Sequence, residues 1–208
     1  PQKAATEAVR ETEGQILCQD GEAVEAYYFS TSAGVTSTDE IWGSDEAAPY
    51  LRSVPCKFDE EEPWSSWIVE LPWKMLEDRI HEKGEGTVLR SVTVTRRSES
   101  GAATALEAVS DKDSCIIENE YEIRKFLAPV NCMITEKDGT ETAGGSLLPS
   151  AYFELERTQN GNLQVRGKGY GHGVGMSQTG ADKMAEQGYD YREILDYFFR
   201  NITVENLG

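Results

Sequence analysis

The spacing of apolar positions divides the chain into many short elements of both kinds. Ala4, Ala5, Ala8, Val9 and Thr12 share one face of a helix over residues 2–13, which Gly14 ends. Two apolar runs, Gln15–Cys18 and Val24–Ser30, flank Gln19-Asp20-Gly21-Glu22, a hairpin signal. Ser30–Thr38 is small and hydroxyl-rich and reads as a loop; Tyr50–Val54 and Trp67–Leu71 read as strands. Pro72 opens a helix with Trp73, Leu76 and Ile80 inward and Gly84 as its stop. The middle is rich in strands: Val88–Arg96, Ala103–Val109, Met133–Lys137, Tyr152–Arg157 and Leu163–Gly167, with one helical turn at Glu122–Leu127. Ser177 caps a helix running to Gln187, and Asp190-Tyr191-Arg192-Glu193 is a capping box for a last helix striped by Ile194, Leu195, Phe198 and Phe199. The predicted class is α+β, a largely antiparallel sheet core with short helices at both ends. No repeat or flexible linker divides residues 1–208, so one domain is expected.

Composition narrows the partners. Twenty Lys and Arg stand against 37 Asp and Glu, a net charge of −17. Such a surface repels nucleic-acid phosphates and anionic lipid heads, and a neutral or amphoteric ligand is easier to accept. No stretch approaches the roughly 18 apolar residues of a membrane span. Cys18, Cys56, Cys115 and Cys132 lack C-x-x-C spacing and the only histidines are His81 and His172, so no metal site is predicted. Four cysteines allow two disulfides or buried free thiols.

The densest candidate chemistry is Gly167-Lys-Gly-Tyr-Gly-His-Gly-Val-Gly-Met-Ser-Gln-Thr-Gly-Ala181. Read as an extended strand, it places the glycines on one bare face and Lys168, Tyr170, His172, Val174 and Met176 on the other. The bare backbone would offer N–H and C=O groups to the hydroxyls of a sugar chain, and Ser177 and Gln178 would sit at a helix start that favours polar ligands. The competing reading is that the glycines only allow tight packing and His172 is a satisfied core histidine. Polar residues beside the glycines and the helix start favour a functional surface. Walker and dinucleotide motifs are excluded, since Gly169 follows Lys168 and Val174 stands where a third glycine is required. A second candidate is the loop with Ser30, Ser32 and Thr36, equally readable as a turn bonding its own backbone. A serine nucleophile there would need a base, for which His172 is the one suitable imidazole. Trp42 reads as core.

Y-Y-F-S-T-S-A-G-V-T at 27–36, I-W-G-S at 41–44, Y-L-R-S-V at 50–54 and the glycine-histidine run at 167–181 resemble the SpoIID/LytB family. The resemblance covers nearly the whole chain and is weakest over 57–84 and 131–150. It implies an extracytoplasmic, cell-wall protein, membrane-anchored at full length, that acts on denuded peptidoglycan glycan strands during sporulation, in septal remodelling and engulfment. The implied reaction is lytic transglycosylation: a general acid protonates the leaving oxygen and the muramoyl 6-hydroxyl closes a 1,6-anhydro ring. The family's catalytic glutamate, and the Cys/His positions that bind zinc in some members, match no position here and are expected upstream of Pro1. No cofactor is expected in this chain. Lys168, Tyr170, His172, Ser177, Gln178, Ser30, Ser32 and Thr36 are the expected substrate-binding residues. The family also implies stage II sporulation proteins M and P as partners. The alternative is a non-catalytic glycan-binding or amidase-enhancing module; a serine or zinc hydrolase using His172 lacks a visible base–orienter pair or ligand set.

Overall fold

A computed structural model describes residues 3–207. Helix α1 (Lys3–Glu11) leads into a three-stranded antiparallel sheet of β1 (Gln15–Gln19), β2 (Glu22–Ala23) and, from the far end of the chain, β13 (Thr203–Asn206), ordered β13-β1-β2. The Asp20-Gly21 turn forms with both residues at positive φ, as a tight hairpin needs. Val24–Ser30 is not the long strand predicted. Only β3 (Tyr28–Phe29) forms a ladder, in parallel with β12 (Met176–Ser177); Val24–Tyr27, exposed or half-buried, makes single bonds such as Val24 N–H to Leu17 C=O at 3.0 Å. Tyr50–Val54 is likewise a single bridge, Leu51 to Phe199.

The centre is a five-stranded sheet ordered β10-β11-β4-β8-β9, all pairs antiparallel, from β4 (Trp67–Leu71), β8 (Met133–Glu136), β9 (Glu141–Ala143), β10 (Phe153–Arg157) and β11 (Leu163–Gly167). Strand β4 shows why: Trp67, Val69 and Leu71 are buried and Ile68 and Glu70 are exposed, the period of a half-buried strand. Helix α2 (Trp73–Glu82) follows Pro72 directly and buries Leu76 and Ile80, four residues apart on one face.

A second antiparallel sheet holds β5 (Leu89–Arg97), β6 (Ala103–Ser110) and β7 (Ser114–Glu118). Simple alternation puts Leu89 and Val92 of β5 on opposite faces, yet both are buried. A register shift between Leu89 and Ser91 turns the strand so that both face in. Helix α3 (Glu120–Phe126) is capped by the Asn119 side chain. These elements enclose the larger core: Trp67, Val69, Leu76, Ile80, Leu106, Ile123, Leu127 and Val165, among others.

A smaller core gathers Ile41, Leu51, Val54, Cys56, Tyr152, Val174, Met184, Ile194, Phe198 and Phe199 under α4 (Gln178–Glu186) and α5 (Tyr191–Phe198). The predicted capping box is present: Asp190 accepts from the Arg192 and Glu193 amides at 2.9 Å, and Glu193 accepts from the Asp190 amide at 2.8 Å. The class is α+β with a largely antiparallel sheet core, as predicted. No helix among the described residues is long and apolar enough to cross a membrane. All four cysteine thiols are free.

Candidate functional site

The glycine run does not form the predicted strand beyond Gly167. Gly169, Gly171, Gly173 and Gly175 all have positive φ, so the backbone reverses hand at every second residue and zigzags. Nor is its bare side open to a ligand. Residues 27–37 lie along it, bonded backbone to backbone: Thr31 N–H to Tyr170 C=O at 3.0 Å, Tyr170 N–H to Thr31 C=O at 2.8 Å, Ser37 N–H to Gly173 C=O at 2.6 Å and Met176 N–H to Tyr27 C=O at 3.0 Å. A Cβ on Gly169 would sit 2.8 Å from the Thr31 carbonyl, and one on Gly175 would collide with the Tyr27 carbonyl. Two chain segments thus approach closer than any side chain allows, and only glycine at positive φ fits.

Several of the backbone donors expected to meet sugar hydroxyls are already occupied. Lys168 N–H bonds Tyr152 C=O, Gly169 N–H bonds Trp64 C=O and Gly171 N–H bonds Pro149 C=O, all between 2.8 and 2.9 Å. The side chains of the run differ in what they offer a ligand. Lys168 and Tyr170 are exposed, and they line different cavities. Tyr170 stands at a cavity of about 390 Å³ with Trp64, Thr142, Ser146 and Pro149, and its ring meets Trp64 edge-on at 4.6 Å. Lys168 lines a separate cavity of about 290 Å³.

His172 is half-buried. Its Nδ1 accepts the Val174 amide at 3.1 Å, and its ring packs edge-on against Phe29 and Trp42. Burial pushes its pKa below the usual 6.5, aided by the nearby Arg124 charge, while a hydrogen bond with the Tyr28 backbone opposes the shift. A base whose folded pKa is depressed is held neutral, so the unfolded chain takes up its proton first on acidification. His172 therefore adds stability above pH 6.5 that is lost as pH falls through its lower folded pKa. Urea unfolding of the parent and His172→Gln at pH 7.5 and 5.5 checks this: the variant should lose less stability on acidification than the parent.

The hydroxyl loop and the helix start converge on a residue that sequence reasoning missed. Asp59 is fully buried. Its carboxylate accepts from the Ser32 amide (2.8 Å), Ser32 Oγ (2.7 Å), Ser177 Oγ (2.7 Å) and Thr179 Oγ1 (3.3 Å). Ser177 Oγ also accepts from the Gly180 amide at 3.2 Å as the α4 cap. The carboxylate thus sits beside the helix N-terminus proposed for a ligand, where negative charge is favoured. Asp59 lies in the surface-looking run D-E-E-E-P, and no signal in the sequence separates it from its neighbours.

Ser32, Thr36 and Ser177 are almost wholly buried. Thr36 Oγ1 donates to Arg52 C=O and accepts from the Val54 amide. These three brace the site from inside. Ser30 is half-buried, its Oγ 3.3 Å from Thr31 Oγ1, and its carbonyl takes the Thr179 amide. Gln178 is exposed at the first position of α4. Among the described residues no serine hydroxyl is bonded to His172, and no group of three or more His, Cys, Asp or Glu is placed to hold a metal ion.

The chain is 31% identical to stage II sporulation protein D of Bacillus amyloliquefaciens over 97% of its length, and 29% identical to the protein of that name from Bacillus subtilis over 97%. It is 22% identical to the amidase enhancer of Bacillus subtilis over 95%. It spans about half the length of the two sporulation proteins, 51% of each, and 32% of the amidase enhancer. These relatives align with nearly the whole chain, as the resemblance to the SpoIID/LytB family implies. Residues 56–175, which contribute nearly all of the larger core, match the family described as Domain of unknown function (DUF8618), and the chain belongs to that family.

Proposed function

We propose that this chain is the glycan-holding part of a sporulation protein that remodels the cell wall outside the membrane, acting on denuded peptidoglycan strands as a lytic transglycosylase. The observation that carries the reading is the Tyr170–Trp64 aromatic pair at the mouth of the 390 Å³ cavity, with the hydroxyls of Thr142 and Ser146 in the same lining. An exposed ring offers an apolar face to a sugar, and a few convergent polar groups fix its orientation. The names of the relatives support the cell-wall setting. No carboxylate is among the residues lining this cavity, so the acid that protonates the leaving oxygen is contributed from elsewhere in the working protein. That same feature favours a second reading, a module that holds glycan without cleaving it.

One experiment separates them. Denuded glycan strands are incubated with this chain and with a form extended to the length of its relatives, and 1,6-anhydro products are sought by mass spectrometry. Products only from the longer form are expected. Binding without product from either leaves the holding module. In both readings Tyr170→Ala should weaken binding of a muramic-acid-containing tetrasaccharide by roughly tenfold, the value of one lost stacking contact with its buried area. Unchanged affinity would remove the site from this cavity.

A further inference from the structure

A cavity of about 320 Å³ opens beside the I-W-G-S segment, and its lining includes Glu40, Trp42, Arg96, Thr104, Glu118 and Asn119. Two of these residues carry donors left over from the fold. Trp42 is half-buried, and its ring meets Tyr27 edge-on at 5.0 Å and His172 at 5.2 Å. Among the described residues its Nε1–H has no hydrogen-bond partner, and it is not sealed from solvent. Asn119 uses its Oδ1 to accept the Glu122 amide at 3.0 Å, the cap of α3, and its Nδ2 has no partner among the described residues. Arg96, by contrast, is engaged: Nη2 donates to Glu118 at 3.1 Å and Nε to Thr104 Oγ1 at 3.3 Å. Glu40 accepts from Thr38 Oγ1 at 2.7 Å through Oε2 alone. The backbone marks the same place. Asn119 holds φ 61° and ψ 156°, a region where only glycine sits without strain. The cap does not demand this, because glycine caps a helix nearly as well as asparagine. What asparagine adds over glycine is an amide in the lining of the cavity.

We propose that this cavity is a second sugar site that takes a neutral N-acetylhexosamine unit, with Trp42 and Asn119 as its donors and Glu40 and Glu118 as its acceptors. It rests on the glycan reading above for the class of ligand, and it is distinct from the aromatic cavity, with which it shares no lining residue. Charge narrows the occupant. Two carboxylates stand against one guanidinium, so an anion meets net repulsion. A bare ammonium would suit that charge, but it offers no acceptor to the two unpaired donors. A neutral sugar carries both kinds of group: its hydroxyls donate to carboxylates and accept from N–H, and its acetamido carbonyl accepts as well. The indole beside these groups supplies the apolar wall that a sugar ring needs.

The test is an NMR titration of the isotope-labelled chain with the neutral N-acetylglucosamine tetramer. Two indole N–H signals are followed, Trp42 for this cavity and Trp64 for the aromatic one, each assigned with its Phe variant. Both should move saturably. Asn119→Gly should weaken the affinity read at Trp42 by roughly fivefold, the worth of about one hydrogen bond, and leave that read at Trp64 within about twofold. Its urea midpoint should not fall, because glycine relieves the strained backbone, so the weaker binding is separable from unfolding. A shift at Trp64 with none at Trp42, or an unchanged Trp42 affinity in Asn119→Gly, would overturn this site and leave the glycan reading standing. No shift at either indole would overturn both. An equal response of Trp42 to acetyl-trialanine amide, which offers donors and acceptors on a peptide, would overturn the sugar assignment.

Discussion

Asp59→Ala is expected to lower the urea midpoint of unfolding by the equivalent of about 3 kcal/mol. Among the described residues no cationic side chain is bonded to the carboxylate; four hydrogen bonds hold it in a fully buried position. Truncation removes the cost of burying a charge, which offsets part of the loss. Two of the freed hydroxyls also have fallback acceptors, Ser32 Oγ at Cys56 C=O (3.4 Å) and Ser177 Oγ at Ser30 C=O (3.3 Å). The Ser32 amide has none shown, and an orphaned buried N–H costs about 1–3 kcal/mol before the cavity is counted. Asp59→Asn keeps the shape and one acceptor oxygen, so it should lose roughly half as much. An unchanged midpoint for Asp59→Ala would mean that loop 30–36 and the start of α4 do not depend on this carboxylate. The neighbouring Cys56 gives a second signature: burial first, and then the Asp59 charge, push its thiol up to about 12. Removing the Asp59 charge takes away the second of those causes and leaves burial, the first.

Arg124→Ala should cost about 3–5 kcal/mol, since breaking a buried ion pair from one side leaves an uncompensated charge. The Glu120 side chain is 2% exposed and meets Arg124 Nη1 at 2.5 Å. The same guanidinium donates to Leu148 C=O at 2.8 Å and to Pro149 C=O at 3.2 Å, and the Gly171 amide bonds that Pro149 carbonyl. Arg124 therefore ties α3 to the wall of the aromatic cavity and to the glycine run together. The double variant Glu120→Leu/Arg124→Met removes both charges and should recover much of the loss. A cycle of unfolding free energies over the parent, Glu120→Leu, Arg124→Met and the double variant measures the coupling. If the double variant is as unstable as Arg124→Ala, the hydrogen bonds to the loop, and not the orphaned carboxylate, set the cost.

Legibility of this fold in the chain followed how local each feature is. The Asp190 capping box, the Ser177 cap, the Pro72 start of α2 and the alternation of Trp67–Leu71 depend on residues within a turn of one another, and the structure has them. The strands missed, Ser114–Glu118, Glu141–Ala143 and Thr203–Asn206, are three to five residues long and owe their form to partners far along the chain, so periodicity carries too little of them. In the site, the side chains called from the glycine run and the hydroxyl loop divide by burial. Lys168, Tyr170 and Gln178 are exposed, His172 is half-covered, and Ser32, Thr36 and Ser177 are inside.

By itself the sequence determined the class, several helix starts and the kinship, because these rest on composition, short-range spacing and matching motifs. Only the tertiary structure decided what the glycines are for. Their bare side faces residues 27–37 of the same chain, since two backbones bonded that closely leave no room for a Cβ. Asp59, Trp64 and Arg124 join the site or its frame from 43 to 108 residues before Gly167, and such neighbours are set by packing of two cores, which no local pattern records.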